Sequence, residues 1–188
     1  MPVVPSPALR KALSCSIFSY RNPQIIAMVA GSIGRDYLSP VSPNRIWKAV
    51  IFDAHNLIPK LLPDFISSVE ILEGDGGVGT IKQLNATEAV TEFRFIKEKT
   101  DILDNEKHRV KQSIIEGGLI GLLLKSYSVE LKLEEDTDGG TLGKIIVEYE
   151  TLGDTPLSSE EEEKIMEGVY LVIKTIDQYL LANPTAYV

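Results

Sequence analysis

Residues 141–182 read TLGKIIVEYETLGDTPLSSEEEEKIMEGVYLVIKTIDQYLLA, and the period of the chain changes inside them. Thr141–Glu150 reads as a strand bounded by turn residues. Beyond Pro156 the pattern becomes helical. Ser158 or Ser159, with Glu161 or Glu162 three residues on, makes a capping box that satisfies backbone donors at a helix start. The acidic run Glu160–Glu163 occupies the first turn, where the helix dipole favours carboxylates. Ile165, Val169, Val172, Ile173, Ile176 and Leu180 share one face, and Asn183-Pro184 ends the helix. A strand therefore leads into one long helix whose apolar stripe must be buried.

Working back from this point, Glu92–Leu103, His108–Ile115 and Tyr127–Glu134 read as further strands. Asp104-Asn105-Glu106, Glu116-Gly117-Gly118 and Asp138-Gly139-Gly140 punctuate them as turns. Upstream, Ser67–Leu72 alternates Val69 and Ile71 with Ser68 and Glu70, the pattern of a half-buried strand. Thr80–Asn85 follows the loop Gly74–Gly79. Near the start of the domain, Ser32–Ser39 reads as a short strand. Ser42-Pro43 opens a short helix with Ile46, Trp47, Val50 and Ile51 at helical spacing, and Asn56–Leu62 a second one before Pro63. The order is strand, two short helices, six strands, long helix. Consecutive strands form a meander, so the fold class is α+β, with the helix over one face of a curved, seven-stranded antiparallel sheet. One helix cannot fill such a cup, which predicts an internal cavity suited to apolar ligands.

The chain has 188 residues, 44% apolar and 24% charged, the composition of a globular domain. Its net charge of −8 and lack of a basic run argue against nucleic acid or an anionic membrane as partner. The uncharged stretches are too short to span a bilayer. A single cysteine, Cys15, excludes an intrachain disulfide, and two histidines, His55 and His108, make a metal centre unexpected. No cofactor is expected. The charge is uneven: residues 1–35 carry Arg10, Lys11, Arg21 and Arg35 and no acid. Without its first 27 residues the chain keeps 16 of its 19 basic groups against all 27 acids, a net charge of −11. Residues 1–27 read as an extension ahead of a domain spanning 28–188, either a transit-like leader or a disordered tail. A cytosolic location follows, also allowing the nucleus, with organelle targeting the competing reading.

Three segments resemble one known family. Glu73-Gly74-Asp75-Gly76-Gly77-Val78-Gly79-Thr80-Ile81-Lys82 resembles the signature loop of the plant class-10 pathogenesis-related proteins, the family of the major birch pollen allergen (Bet v I) within the START-like superfamily. Ile115-Glu116-Gly117-Gly118 is similar to a second marker, and Tyr179–Tyr187 to a third. Together, in order and spacing, they are far more specific than any one alone. The resemblance covers about Met28 to Val188. It implies a helix-grip fold around a cavity, induction in defence, and binding of a small amphipathic molecule: a cytokinin, abscisic acid, a flavonoid, a sterol or another specialised metabolite. A monomer or weak dimer is expected.

The resemblance also implies which side chains face the cavity. They are Lys82, Leu84, Ile96, Glu98, Val110, Gln112, Ile114, Tyr127, Val129 and Leu131 from the strands, and Val169 and Ile173 from the last helix. Lys82, Glu98, Gln112 and Tyr127 would orient a ligand, though Lys82 and Glu98 could equally neutralise each other. Gly74, Gly76, Gly77 and Gly79 invite a phosphate-cradle reading. They lack the Gly-Lys-Ser/Thr ending and lead into a strand, which favours a structural turn. Norcoclaurine synthases share the fold. Alignment places their catalytic glutamate on Glu98, but their lysine on Val110, their tyrosine on Ile96 and their aspartate on Val129, so Glu98 is a lone catalytic candidate. Abscisic acid receptors, which inhibit a protein phosphatase, carry gate and latch motifs. The corresponding segments here, Ala86–Val90 and Glu116–Leu119, carry neither. A carrier or storage protein is the favoured reading. A Glu98-dependent condensing enzyme and a phosphatase-inhibiting receptor are the alternatives.

Overall fold

Alternation drives seven segments into one antiparallel sheet, and a computed structural model describes residues 28–188. The strands are β1 (Ala30–Ser39), β2 (Ile66–Glu73), β3 (Ile81–Ala86), β4 (Phe95–Asp104), β5 (Arg109–Gly117), β6 (Leu124–Glu135) and β7 (Thr141–Thr151). Their spatial order is β1-β7-β6-β5-β4-β3-β2. The meander from β2 to β7 is closed on its far side by β1, which pairs with β7 from Ala30↔Glu150 to Ser39↔Thr141. Between β1 and β2 lie α1 (Pro43–Trp47), a π-helical turn (Lys48–Phe52) and α2 (Ala54–Leu61). The long helix α3 runs from Ser159 to Ala182.

Local chemistry explains the helix ends. Ser158 is the N-cap of α3: its Oγ accepts from the Glu161 N–H while the Glu161 carboxylate accepts from the Ser158 N–H, the reciprocal box that the sequence predicts. At the other end the Arg45 guanidinium of α1 donates to the carbonyls of Leu180, Asn183 and Ala186 at 3.1, 2.8 and 2.9 Å. A cation there satisfies orphan carbonyls and complements the negative end of the dipole. The first helix is interrupted by the π-turn, so the expected single helix from Pro43 becomes two short pieces. Trp47 is buried against His108, and its Nε1 donates to Asn105 Oδ1 at 3.0 Å, an ordinary packing role.

The helix lies along β1. Asp177 accepts from the Ser39 hydroxyl and Arg35 pairs with Glu163, so both contacts dock the helix on β1. Tyr149 Oη donates to Glu162 at 2.5 Å. The close backbone approaches of α3 are to β1, α1, the π-helical turn and α2. It leans on one side of the sheet and stands off from β2–β5. The core gathers beneath it: Ile145, Val147, Leu133 and Leu131 from the sheet, Ile165, Met166, Ile173, Ile176 and Leu180 from the helix.

Candidate functional site

Strand parity sorts the inner face. Register pairs Leu84 with Ile96, Lys82 with Glu98, Ile114 with Tyr127, Gln112 with Val129 and Val110 with Leu131. All ten strand residues expected to face inward share that face. Their surroundings differ. Val110, Ile114, Tyr127, Leu131 and Ile173 are buried, whereas Leu84, Ile96, Glu98, Gln112, Val129 and Val169 are only half-buried. Inner-face side chains that keep accessible surface border space that the sheet and α3 leave unfilled.

Two bulges complicate the pattern. Between Glu98↔Ile114 and Lys97↔Glu116 the strand β5 holds the extra residue Ile115, and between Thr100↔Gln112 and Ile102↔Lys111 the strand β4 holds Asp101. The second bulge turns Leu103 rather than Ile102 to the side of Val110. Leu103 was therefore missed by simple alternation. Val69 and Ile71 of β2, register partners of Leu84 and Lys82, also share the inner face. Their alternation was visible in the sequence. Ile71 is 45% exposed despite facing inward, which places an opening of the space at the free β2 edge.

Polar groups converge at one place on this face. Glu98 Oε1 accepts from Gln112 Nε2 at 2.6 Å. Lys82, only 8% exposed, forms no ion pair within 4.0 Å and no side-chain hydrogen bond among the described residues. A close neutralising Lys82–Glu98 contact, one of the two readings of this pair, is thus absent, although the two are cross-strand neighbours. Burial pushes the Glu98 carboxyl up from its ordinary value, against the opposing pull of the Lys82 charge and the Gln112 hydrogen bond. Burial likewise raises the Tyr127 phenol, with the Glu98 charge adding and the Leu119 backbone opposing. The Tyr127 hydroxyl sits over Gly118, whose positive φ of 56° and lack of a Cβ make room for it.

The glycine loop is built as a turn. Gly74, Gly76 and Gly79 have φ of 89°, 99° and 89°. The Gly76 N–H donates to Thr80 Oγ1 at 2.9 Å, Gly77 N–H to Asp75 Oδ1 at 3.0 Å, and Gly79 N–H to the Thr100 carbonyl at 2.7 Å. Three of the loop's backbone donors are thus engaged within the protein rather than turned outward to an anion. Among the described residues no group of three or more His, Cys, Asp or Glu is placed to hold a metal ion, and no helix is long and apolar enough to cross a membrane.

Residues 28–183 match the model of the pathogenesis-related protein Bet v 1 family. The chain belongs to the Bet v 1 family. Pathogenesis-related protein 1 of Asparagus officinalis is 38% identical over 161 residues, covering 86% of this chain and all of that one. The major pollen allergen Bet v 1-M/N of Betula pendula is 39% identical over 149 residues, 79% of this chain and 92% of the relative. Among solved structures of similar fold, Ara h 8.0201 superposes with a TM-score of 0.73 at 33% identity, over 82% of this chain and all of the other. Norcoclaurine synthase of Thalictrum flavum, in complex with dopamine and hydroxybenzaldehyde, gives 0.70 at 25% identity, over 84% and 90%. The Bet v 1 match begins at residue 28, where the described structure begins. The expectations about residues 1–27 lie outside the described residues.

Proposed function

We propose that this Bet v 1 family member is a carrier that holds a small amphipathic organic molecule between α3 and the inner face of the sheet. The observation that carries this reading is the pairing of half-buried apolar walls with polar groups that lack full protein partners. Leu84, Ile96, Val129 and Val169 offer apolar surface worth about 25 cal/mol per Å² buried by a ligand. Lys82 offers an unengaged ammonium, and Glu98 and Gln112 keep one acceptor face each. Among the described residues Lys82 has no protein acceptor within reach, so an acceptor on the ligand could pair with its ammonium. Few convergent polar groups in an apolar site are what fixes a ligand's orientation.

Displacement of a fluorescent apolar probe from the full chain tests the reading, across cytokinins, abscisic acid, flavonoids and sterols. Saturable displacement by one class, with the ligand recovered chemically unchanged, is the expected result. Absence of probe uptake would overturn it. A second reading is favoured by one feature: Glu98, half-buried on the inner face with its proton affinity raised, stands at the position of the norcoclaurine synthase glutamate. The other aligned positions hold Val110, Ile96 and Val129, which carry no acid, base or phenol. Condensation of dopamine with an aldehyde, abolished by Glu98→Gln, would establish that alternative; unchanged reactants dispose of it.

A further inference from the structure

We infer that the interior site is selective for amphipathic anions and takes up each one together with a proton on Glu98, holding it in mild acid and releasing it as pH rises. Such regulation rests on the carrier function proposed above. Lys82 and Glu98 stand opposite each other on β3 and β4, both facing inward. Lys82 is buried, and among the described residues its ammonium meets no carboxylate at contact distance. Gln112 of β5 donates to Glu98 at 2.6 Å, which anchors the carboxylate toward β5 rather than toward Lys82 on β3.

The groups around this pair add no further full charge. Ile71 of β2 lies opposite Lys82, and Gln112 is neutral. Tyr127 of β6 is a phenol that burial keeps protonated. The acids of α3 that turn to the sheet, Glu162, Glu163 and Asp177, are engaged by Tyr149, Arg35 and Ser39 on the β1 and β7 side. The interior therefore carries one positive charge while Glu98 holds its proton, and none once Glu98 is ionised.

An apolar enclosure accepts a ligand's charge only when that charge is balanced. With Glu98 neutral, a bound anion and the Lys82 ammonium cancel. With Glu98 ionised, anion and carboxylate compete for one ammonium, and a negative charge is left over. The linkage is reciprocal. An anion on Lys82 offsets the charge that pulls Glu98 toward ionisation and adds a repulsive one, so the loaded chain keeps this proton to higher pH. Burial already raises the Glu98 carboxyl in the free chain, which favours the receptive form. An opposite charge a few ångström away changes a carboxyl's proton affinity by about tenfold or more, and anion affinity should fall by the same factor as pH rises. A neutral amphipath of the same shape feels none of this.

Two fluorescent probes test this on the full chain: anilinonaphthalene sulfonate, whose sulfonate stays ionised, and phenylnaphthylamine, the same rings without it. Titrations run from about pH 5 to about pH 8.5, where ordinary carboxylates are largely ionised. The sulfonate should bind about tenfold or more weakly at the upper end, and the neutral probe equally throughout. Calorimetry in buffers of different ionisation heat should show proton uptake with the sulfonate only. Glu98→Gln, fixed in the neutral form, should keep the acid-state affinity at every pH. His108, packed on Trp47, and His55 of α2 also titrate in this range, and they cancel in that comparison. Lys82→Met should weaken the sulfonate about ten- to hundredfold and spare the neutral probe. Parallel pH profiles for the two probes, or a sulfonate profile equally steep in Glu98→Gln, would overturn the proton coupling and leave the carrier reading standing. Failure of both probes to bind would overturn the carrier reading and the coupling with it.

Discussion

Tyr37 and Glu98 are both polar side chains on the inner face, one buried and one half-buried, and the sheet treats them differently. The Tyr37 hydroxyl is buried with no hydrogen-bond partner among the described residues, and burial, aided by the Asp177 and Tyr170 charges, pushes its pKa well above the usual phenol range. Its ring packs over Gly143 and edge-on to Tyr170, so the ring contributes packing while the hydroxyl contributes a desolvation cost. Tyr37→Phe should therefore leave stability unchanged or raise it by up to about 2 kcal/mol in chemical denaturation, read from the single Trp47. A clear loss of stability would mean the hydroxyl has a partner. Glu98 has its Gln112 bond, yet the folded state still raises its proton affinity. The folded chain then binds this proton more tightly than the unfolded chain. Ionising Glu98 costs stability as pH rises from the ordinary glutamate value of 4.5 through the raised one. Glu98→Gln removes that titration. Its melting temperature relative to the parent should climb over that window and level off above it; a difference that stays flat with pH would contradict the assignment.

The elements were legible where local chemistry alone decides them. The Ser158–Glu161 cap, the acidic first turn and the Asn183-Pro184 stop are statements about neighbours in sequence, and α3 spans the expected residues. Strand ends were less legible. β4 begins at Phe95 rather than Glu92, and β6 begins at Leu124 rather than Tyr127, because pairing partners decide which residues join a ladder. The bulges at Ile115 and Asp101 are products of cross-strand register and leave no signal in one strand's alternation. Two element-level predictions follow from contacts distant in sequence. Arg45→Ala leaves three carbonyls at the end of α3 without their cation and should cost about 1–3 kcal/mol, with faster amide exchange over residues 180–188 as its signature. Gly118→Ala meets both a positive φ and the Tyr127 hydroxyl, and should cost about 1–3 kcal/mol while displacing the phenol from its site.

At the scale of the whole molecule, the helix leans on β1 while inner-face residues of β3 to β6 keep accessible surface. That asymmetry rests on contacts between residues more than a hundred positions apart, such as Ser39 with Asp177 and Arg35 with Glu163. The sequence motifs implied the cavity-facing set because alternation and the family pattern agree. They could not separate residues that border open space from those packed solid, since that depends on where α3 rests. A paired substitution tests the division between space and packing. Val129 is half-buried at the middle of the inner face, whereas Leu131, two residues on, is 4% exposed. Val129→Phe puts a ring into the unfilled space, so stability should stay within about 1 kcal/mol of the parent while apolar-probe uptake falls at least about tenfold. Leu131→Phe puts the same ring into close packing and should cost about 1–3 kcal/mol. Equal costs at the two positions would mean that the interior is filled throughout, and a carrier without room for its cargo would lose its physical basis.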